Sequence, residues 1–416
     1  MPKTLLQIDW LSILIVVLLI VFGWSNIYST TVTASDAEVF DFSKIYGKQL
    51  IWIGLGIFIT ILILSIEAKF FEKFSTVIYI FAVLSLAGLF LFGKTIAGQT
   101  AWYSFGSFSI QPAEFVKTAV ALVLAKYLSE INVDLKKFKS QIKAAGIIAI
   151  PFLLIMLQPD AGSALIYLAF IIPLYREGLP HWYIVFGFLV AIIFILTLKF
   201  GFAIIAPIIF SIAVLIFLIN RKNKPKVFIY LLVTFLCISF SYSVNFILND
   251  VLLPHQKDRF DVLIGESNDI KGSAFNLYQS EVAIGSGGLW GKGWLKGTQT
   301  QGRFVPEQHT DYIFSTVGEE WGFLGTSFVV ILFASLILRL FYLAERQKSQ
   351  FNRVYGYCVF SVIFLHFFVN IAMVIGLFPT VGIPLPFFSY GGSGLWGFII
   401  LIFIFLKLDA KRKSLN

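Results

Sequence analysis

Apolar runs of about 20 residues, separated by short polar connections, recur along the whole sequence and constrain its fold more than any other feature. A helix of that length crosses the hydrocarbon core of a bilayer. Charged residues make up only 13% of the chain and the mean hydropathy is +0.86, whereas soluble domains average about 25% charged residues. The sequence therefore predicts an all-α integral membrane protein built as a polytopic helical bundle.

About twelve spans are predicted, within a single polytopic membrane domain that covers residues 1–416. The first is long enough to remain as a helix and does not resemble a cleaved signal peptide. The spans lie near residues 9–29, 47–66, 75–93, 112–130, 142–157, 161–175, 182–198, 202–219, 227–247, 313–343, 355–377 and 388–407.

The net charge of +9 would suit a nucleic-acid partner, but its distribution favours another explanation. If the N-terminus is cytoplasmic, about two thirds of the 32 lysine and arginine residues fall in cytoplasmic connections. Most of the remainder lie in one long loop, and charges in long loops have little influence on orientation. We interpret the charge as a positive-inside signature, expect both termini in the cytoplasm, and expect no nucleic-acid partner.

Residues 249–311 form a polar stretch of 63 residues with eight acidic, six basic and nine glycine residues. Such a stretch cannot lie in lipid, and a connector of this length usually has a function or is disordered. Residues 274–284 have the apolar spacing of a short amphipathic helix. We therefore predict an ordered extracytoplasmic loop that covers the membrane body.

Glu114 and Lys117 lie inside an apolar span, where ionisable residues are costly and usually functional. Their spacing of three residues places them on one face of a helix, where they can form an ion pair. Two interpretations remain open: a structural pair that tethers neighbouring helices, and a pair that faces a cavity.

Asp160 and the glycine run 285–293 each allow two interpretations. Asp160 is placed to cap the helix that begins at Ala161, or it belongs to a site. The backbone amides of the glycine run could bind a phosphate, but the run lacks the lysine and serine of a nucleotide-binding loop. A plain turn is the other interpretation of the run.

Asp311 lies where the polar stretch meets the next apolar span. An aspartate there can simply cap the helix. At the lipid–water boundary, however, partial burial can raise the pKa of a carboxylate towards that of a useful general base. His309 is equally suited to a loop hydrogen bond and to catalysis. No histidine has the spacing of a zinc site such as H-E-x-x-H, so a protein-held zinc is not expected.

The connection 376–394 contains three prolines and five glycines. Because proline fixes its own φ and restricts the preceding residue, this connection should be stiff. Its hydroxyl groups include that of Ser389. A structural re-entrant loop and a wall of a substrate site are both compatible with the sequence.

Five motifs together resemble the SEDS family of cell-shape, division and sporulation proteins (RodA, FtsW and SpoVE), and the glycine run is closer to the RodA form. In order along the chain, the motifs occupy residues 111–115, 158–160, 279–294, 304–320 and 378–393. The resemblance covers nearly the whole chain and implies a polytopic membrane enzyme.

This resemblance implies an inverting peptidoglycan glycosyltransferase that polymerises lipid II at the outer face of the bacterial cytoplasmic membrane, for cell elongation and shape. The family's catalytic aspartate matches Asp311, and Glu114, Lys117 and Asp160 match further family site residues. A divalent cation, Mg²⁺ or Mn²⁺, is expected as cofactor with unknown ligands, and a class B penicillin-binding protein as partner. Basic residues suited to the departing diphosphate are Arg259, Lys271, Lys292, Lys296 and Arg303.

One departure from the family concerns the number of spans, which is usually ten. The surplus falls at residues 201–247, which we interpret as an inserted helical hairpin that preserves the orientation of the following spans. Two other functions remain open: a lipid II flippase or transporter, and a non-catalytic scaffold for a penicillin-binding protein.

Overall fold

The computed structural model describes residues 7–32, 41–96, 98–106, 108–221, 227–248 and 275–412. The chain divides into two compact units. The first unit joins Met1–Leu179 to Gln279–Asn416, and the second is Pro180–Tyr278. Every candidate site residue that the structure describes belongs to the first unit.

The described residues are mainly helical, which confirms the predicted fold class. The helices are α1 Trp10–Thr31, α2 Ile45–Ser65, α3 Ala68–Phe92, α4 Pro112–Leu128, α5 Phe138–Met156, α6 Ala161–Leu165, α7 Ile171–Arg176, α8 Trp182–Phe200, α9 Phe202–Asn220, α10 Val227–Phe246, α11 Phe275–Ser286, α12 Thr298–Gln301, α13 Ile313–Glu345, α14 Gln350–Val374 and α15 Gly392–Arg412.

Ten helices in the described part of the chain are long and apolar enough to cross a membrane. Two further predicted spans are helical but are not among these ten helices. The span predicted at 112–130 is α4, which has 17 residues. The span predicted at 161–175 consists of α6, a 3₁₀ segment at Ile166–Phe170, and α7.

A small antiparallel sheet follows α3 and was not predicted from the sequence. Its strands are β1 Lys94–Ile96, β2 Gln99–Phe105 and β3 Phe108–Ile110, in that order across the sheet. In β2 the residues Thr100–Phe105 alternate only partly between polar and apolar side chains, and the strand is short. Because the sheet leads directly into α4, it places the start of that helix.

The core of the first unit is built around α4, α14 and α15. Helix α4 packs against α3, α14 and α15, and most of its residues are buried. In the second unit, α8, α9 and α10 pack against one another and expose most of their apolar side chains. The predicted hairpin at 201–247 corresponds to α9 and α10, and its insertion stays a prediction.

Three arginines near helix ends form ion pairs at one end of the first unit. Arg176 contacts Glu345 at 2.9 Å, Arg353 contacts Glu177 at 2.9 Å, and Arg346 pairs with Asp409. This end is opposite to the start of α15. A shared location of this kind is expected for basic residues in connections on one side of the membrane.

Helix α13 is broken at Gly322, where φ is 62° and ψ is −157°. The glycine run 285–293 packs into this break. The amides of Lys292 and Gly293 donate to the carbonyls of Glu319 and Glu320 at 3.0 and 2.9 Å. In return, the amide of Phe323 donates to a carbonyl of the run. The glycine run therefore supplies hydrogen-bond partners for backbone groups that lose their helical partners at the break.

The glycine run thus packs closely against the backbone of α13. A Cβ added at Gly287 would lie 2.0 Å from the carbonyl oxygen of Gly318, and one at Gly291 would lie 2.2 Å from that of Glu320. Only glycine permits this approach of the two backbones. The amides of Lys292 and Gly293 donate to carbonyls of α13 and are therefore not available to a phosphate.

Replacing Gly287 by alanine should destabilise the protein, because the added methyl group overlaps the backbone of α13. We expect a loss of about 1–3 kcal/mol, measured as a lower midpoint of thermal unfolding in detergent. Gly285→Ala is the matched control, since a Cβ at Gly285 meets nothing within 4 Å. Equal midpoints for the two variants would contradict the packing described for the run.

Candidate active site

The backbone around Asp311 is held by hydrogen bonds to three consecutive carbonyl groups. The amide of Tyr390 donates to His309 O at 2.9 Å, and Ser389 Oγ donates to Thr310 O at 2.7 Å. Asn370 Nδ2 donates to Asp311 O at 2.8 Å. We call these three hydrogen bonds the carbonyl clamp. Two of the donors lie in the 376–394 connection and the third lies on α14, so the clamp fixes this segment from two separate parts of the chain.

The donors of the clamp are fixed as well. Asn370 is fully buried in α14, and its Nδ2 also donates to Ile383 O at 2.7 Å. Ser389 Oγ accepts from the amide of Leu385 at 2.8 Å. The 376–394 connection, predicted to be stiff from its prolines, therefore supports the Asp311 segment directly.

The carboxylate of Asp311 is half-buried and lies against the same loop. A Cβ added at Gly382 would be 3.2 Å from Asp311 Oδ2, and Gly382 has a φ of +70°. The N-cap position of α13 belongs to Tyr312. Asp311 precedes this position by one residue, and its two interpretations both stay predictions.

A cavity of about 340 Å³ opens beside this segment. Its wall combines aromatic side chains, a carboxylate and an ammonium group. The residues that line it include Lys48, Trp52, Trp102, Phe108, Gln111, Glu114, Thr310, Pro384, Ser389, Tyr390, Ser393 and Trp396. Thr310 places the cavity next to Asp311 along the chain.

Glu114 and Lys117 form the predicted ion pair, with Lys117 Nζ 2.8 Å from Glu114 Oε2. Both side chains are buried, and Glu114 lines the cavity. Lys117 Nζ also lies 3.0 Å from Nε2 of His366 on α14. The pair therefore both faces a cavity and links two helices, so the two interpretations hold together.

Asp160 is the N-cap residue of α6, where Oδ1 accepts from the amide of Ser163 at 3.0 Å. Its other oxygen, Oδ2, accepts from Gln111 Nε2 at 2.9 Å. Since Gln111 lines the cavity, Asp160 supports the cavity wall from behind. A direct role for Asp160 stays a prediction.

The predicted basic residues lie in different places. Lys292 Nζ contacts Glu319 Oε1 at 2.7 Å, so its ammonium group is engaged within the fold. Arg303 is exposed and donates to Thr31 O at 3.3 Å. Arg259 and Lys271 lie outside the described residues.

Glu319 organises the segment that precedes the clamp. Its carboxylate accepts from the amides of Gln299 and Thr300, both at 2.8 Å. It thus holds the first turn of α12, where free amides favour a negative charge. This role of Glu319 was not predicted from the sequence.

His309 lines a second cavity of about 480 Å³ together with Thr30, Ser43, Arg303 and Glu307. Burial lowers the pKa of the His309 imidazole; the nearby Glu307 opposes this shift and Arg303 adds to it. The ring packs 5.7 Å from that of Tyr390. The His309 imidazole is therefore neutral at pH 7. A neutral ring is compatible with both interpretations of this residue, a loop hydrogen bond and a role in catalysis.

Three residues of this site were not predicted from the sequence: Lys48, His366 and Asn370. A polar side chain inside an apolar span was an available signal for His366 and Asn370. Lys48 had no signal beyond its position near the end of a span. Within the described residues, no group of three or more histidine, cysteine or acidic residues is arranged to hold a metal ion.

Acidification should destabilise the His309 region. An unfolded histidine titrates at about 6.5, while the folded pKa is lower. As pH falls below about 6.5, the unfolded chain binds a proton that the folded chain does not yet bind. The free energy of unfolding therefore decreases. Between pH 7.5 and 5.5, His309→Gln should lose less thermal stability in detergent than the parent protein. Identical losses would contradict the depressed pKa.

The sequence matches a known protein family and individual members of it. Residues 9–208 and 199–414 match the family model described as cell cycle protein, which covers FtsW, RodA and SpoVE. The chain is 31% identical to the peptidoglycan glycosyltransferase RodA of Treponema pallidum, covering 97% of this chain and 98% of the relative. It is 30% identical to the peptidoglycan glycosyltransferase MrdB of Escherichia coli K12, covering 99% and 95%.

Two solved structures share the fold. A chain from a peptidoglycan synthase complex that coordinates polymerization and crosslinking aligns with a TM-score of 0.70 at 23% identity, covering 97% of this chain and 98% of that one. The crystal structure of the rod shape determining protein RodA of Thermus thermophilus gives 0.63 at 22% identity, covering 97% of both. The chain therefore belongs to the FtsW, RodA and SpoVE family of cell cycle proteins.

Proposed function

We propose that this protein is a peptidoglycan glycosyltransferase that polymerises lipid II for cell elongation and shape. The names of its relatives support this activity. The observation that carries the proposal is the carbonyl clamp, which holds Asp311 beside a cavity lined by aromatic and ionisable side chains. A catalytic carboxylate requires a fixed position of this kind.

In the proposed reaction, a sugar hydroxyl of one lipid-linked molecule attacks the anomeric carbon of another. A glycosidic bond forms with inversion, and the bond from that carbon to undecaprenyl diphosphate breaks. Asp311 acts as the general base that accepts the hydroxyl proton, because the attacking oxygen loses its proton as the bond forms. The diphosphate departs with the bonding electron pair.

The cavity offers suitable surfaces for such a substrate. The side chains of Trp52, Trp102 and Trp396 provide flat apolar faces for sugar rings or the start of a polyprenyl chain. Lys48, also on the cavity wall, provides positive charge for a phosphate group. Glu114 provides an acceptor for sugar hydroxyl groups.

A divalent cation, Mg²⁺ or Mn²⁺, is proposed as cofactor. The described residues do not form a metal-binding cluster by themselves. Mg²⁺ is commonly held by one or two carboxylates together with substrate phosphates and water. Diphosphate oxygens would therefore have to supply much of the coordination, and the ion would stabilise negative charge on the leaving group.

We propose that the site faces outwards from the cytoplasmic membrane, with both termini inside. The positive-inside pattern and the clustered basic residues at the opposite end of the first unit support this orientation. A class B penicillin-binding protein is the proposed partner. A structural neighbour of the chain belongs to a complex that combines polymerization with crosslinking.

Asp311→Asn should abolish polymerisation of lipid II by the purified protein, since an amide cannot accept the hydroxyl proton. General-base catalysis contributes about 10²–10⁴-fold, so residual glycan should be at or below about 1% of the parent rate. Strand length and yield are measured by gel electrophoresis of labelled lipid II. Glu281→Gln, which changes an exposed carboxylate on α11, is the matched control and should retain activity.

The alternative functions give different results in the same preparation. A flippase would translocate lipid II in proteoliposomes without producing glycan, and Asp311 would be dispensable. A scaffold would produce no glycan alone, and wall growth in cells would survive Asp311→Asn but not changes at the partner surface. Either result would contradict the proposed activity.

Removal of divalent cations with EDTA should strongly reduce polymerisation, because the diphosphate then departs without compensation of its charge. Addition of Mg²⁺ or Mn²⁺ in excess should restore the rate. The unfolding midpoint without substrate should change little, since the ion is proposed to bind with the diphosphate. Full activity in EDTA would contradict the proposed requirement for a divalent cation.

A further inference from the structure

A buried histidine on α14 contacts the ion pair of the cavity wall. Nε2 of His366 lies 3.0 Å from Nζ of Lys117, which lies 2.8 Å from Oε2 of Glu114. His366 is 2% exposed and Lys117 is also 2% exposed. The three side chains form a continuous polar chain that runs from the cavity into the core of the first unit.

The chemistry of the contact determines the state of the imidazole. An ammonium group has only donors, so Nε2 must accept and the proton of the neutral ring must lie on Nδ1. A protonated imidazole would place two positive charges 3.0 Å apart in surroundings that include the ring of Phe398. His366 is therefore a neutral acceptor for Lys117.

The surroundings give Lys117 few alternatives to this arrangement. Its ammonium group lies 4.9 Å from the centre of the Phe398 ring, and the His366 ring packs edge-on to the same phenyl ring at 4.8 Å. Glu114 and His366 are its two hydrogen-bond acceptors. Without the imidazole, a buried donor would lose one of its acceptors, which is costly.

We propose that His366 is a positioning residue that acts through Lys117 on Glu114. The imidazole fixes the ammonium group against Oε2 of Glu114. The carboxylate is then held at the cavity wall, with a defined direction towards the substrate. His366 itself does not line the cavity and need not touch the reacting atoms.

The position of His366 on α14 also connects Glu114 to the carbonyl clamp around Asp311. Asn370, which donates to the Asp311 carbonyl in the clamp, lies one helical turn later. Residues four apart in a helix lie on the same face. One face of α14 therefore holds both ionisable parts of the site, Glu114 through His366 and Lys117, and Asp311 through Asn370.

The test rests on the proposed function and compares two substitutions in the lipid II polymerisation assay. His366→Phe retains a ring of similar size but removes the acceptor, and it should lower the turnover rate by about tenfold or more, as expected for a hydrogen bond to a charged group. His366→Gln retains an acceptor near the Nε2 position and should keep at least about a third of the rate.

Two controls separate positioning from folding. The unfolding midpoint of each variant is measured in detergent, and Cys358→Ala on the same helix, also fully buried, reports the effect of a core change away from the site. A double-mutant cycle then combines His366→Phe with Glu114→Gln. If His366 acts through Glu114, the second substitution should add less than about threefold to the first.

Three results would overturn the inference: a parent-like rate for His366→Phe, equal losses for His366→Phe and His366→Gln, or fully multiplicative losses in the cycle. A lower rate that follows the unfolding midpoint, as in Cys358→Ala, would also overturn it. Failure of the proposed function is distinguishable, because the parent protein would then produce no glycan.

Discussion

The arrangement of the site depends on hydrogen bonds to three neighbouring backbone carbonyls, those of residues 309, 310 and 311. A side chain at the entrance to an apolar span has a defined position only if the backbone that carries it is held in place. Donors from Ser389, Tyr390 and Asn370 hold this backbone. The first two lie in the 376–394 connection, and Asn370 is fully buried in α14. Precise placement of a carboxylate can contribute much of the rate of a reaction between two bound molecules.

The segment before the clamp is fixed by a second set of contacts. The break of α13 at Gly322 leaves backbone groups open inside the helix, and the glycine run closes them through direct backbone hydrogen bonds. Glu319, next to the break, accepts from Lys292 and from the first amides of α12. The polar residues before Asp311 are thereby joined to the same helix that follows it. The segment before Asp311 and helix α13 are therefore packed together as one unit of structure.

Much of this fold could be predicted from the sequence, because spans are set by hydropathy alone. Periodicity also predicted α11, and the three-residue spacing of Glu114 and Lys117 predicted their ion pair. The roles of the glycine run, His366 and Asn370 could not be predicted, since each depends on partners far away in the chain. A glycine is equally suited to a turn, a phosphate site and a close backbone approach, and only the tertiary structure selects among them.

The most direct test of the central claim is a cryo-EM structure of the protein with a bound lipid-linked disaccharide. Our interpretation predicts that a sugar hydroxyl lies within hydrogen-bonding reach of the Asp311 carboxylate, roughly 2.6–3.2 Å or through one water molecule. It also predicts that the carbonyl clamp remains intact around the substrate. A disaccharide bound away from Asp311, or a clamp that opens when the substrate binds, would contradict it.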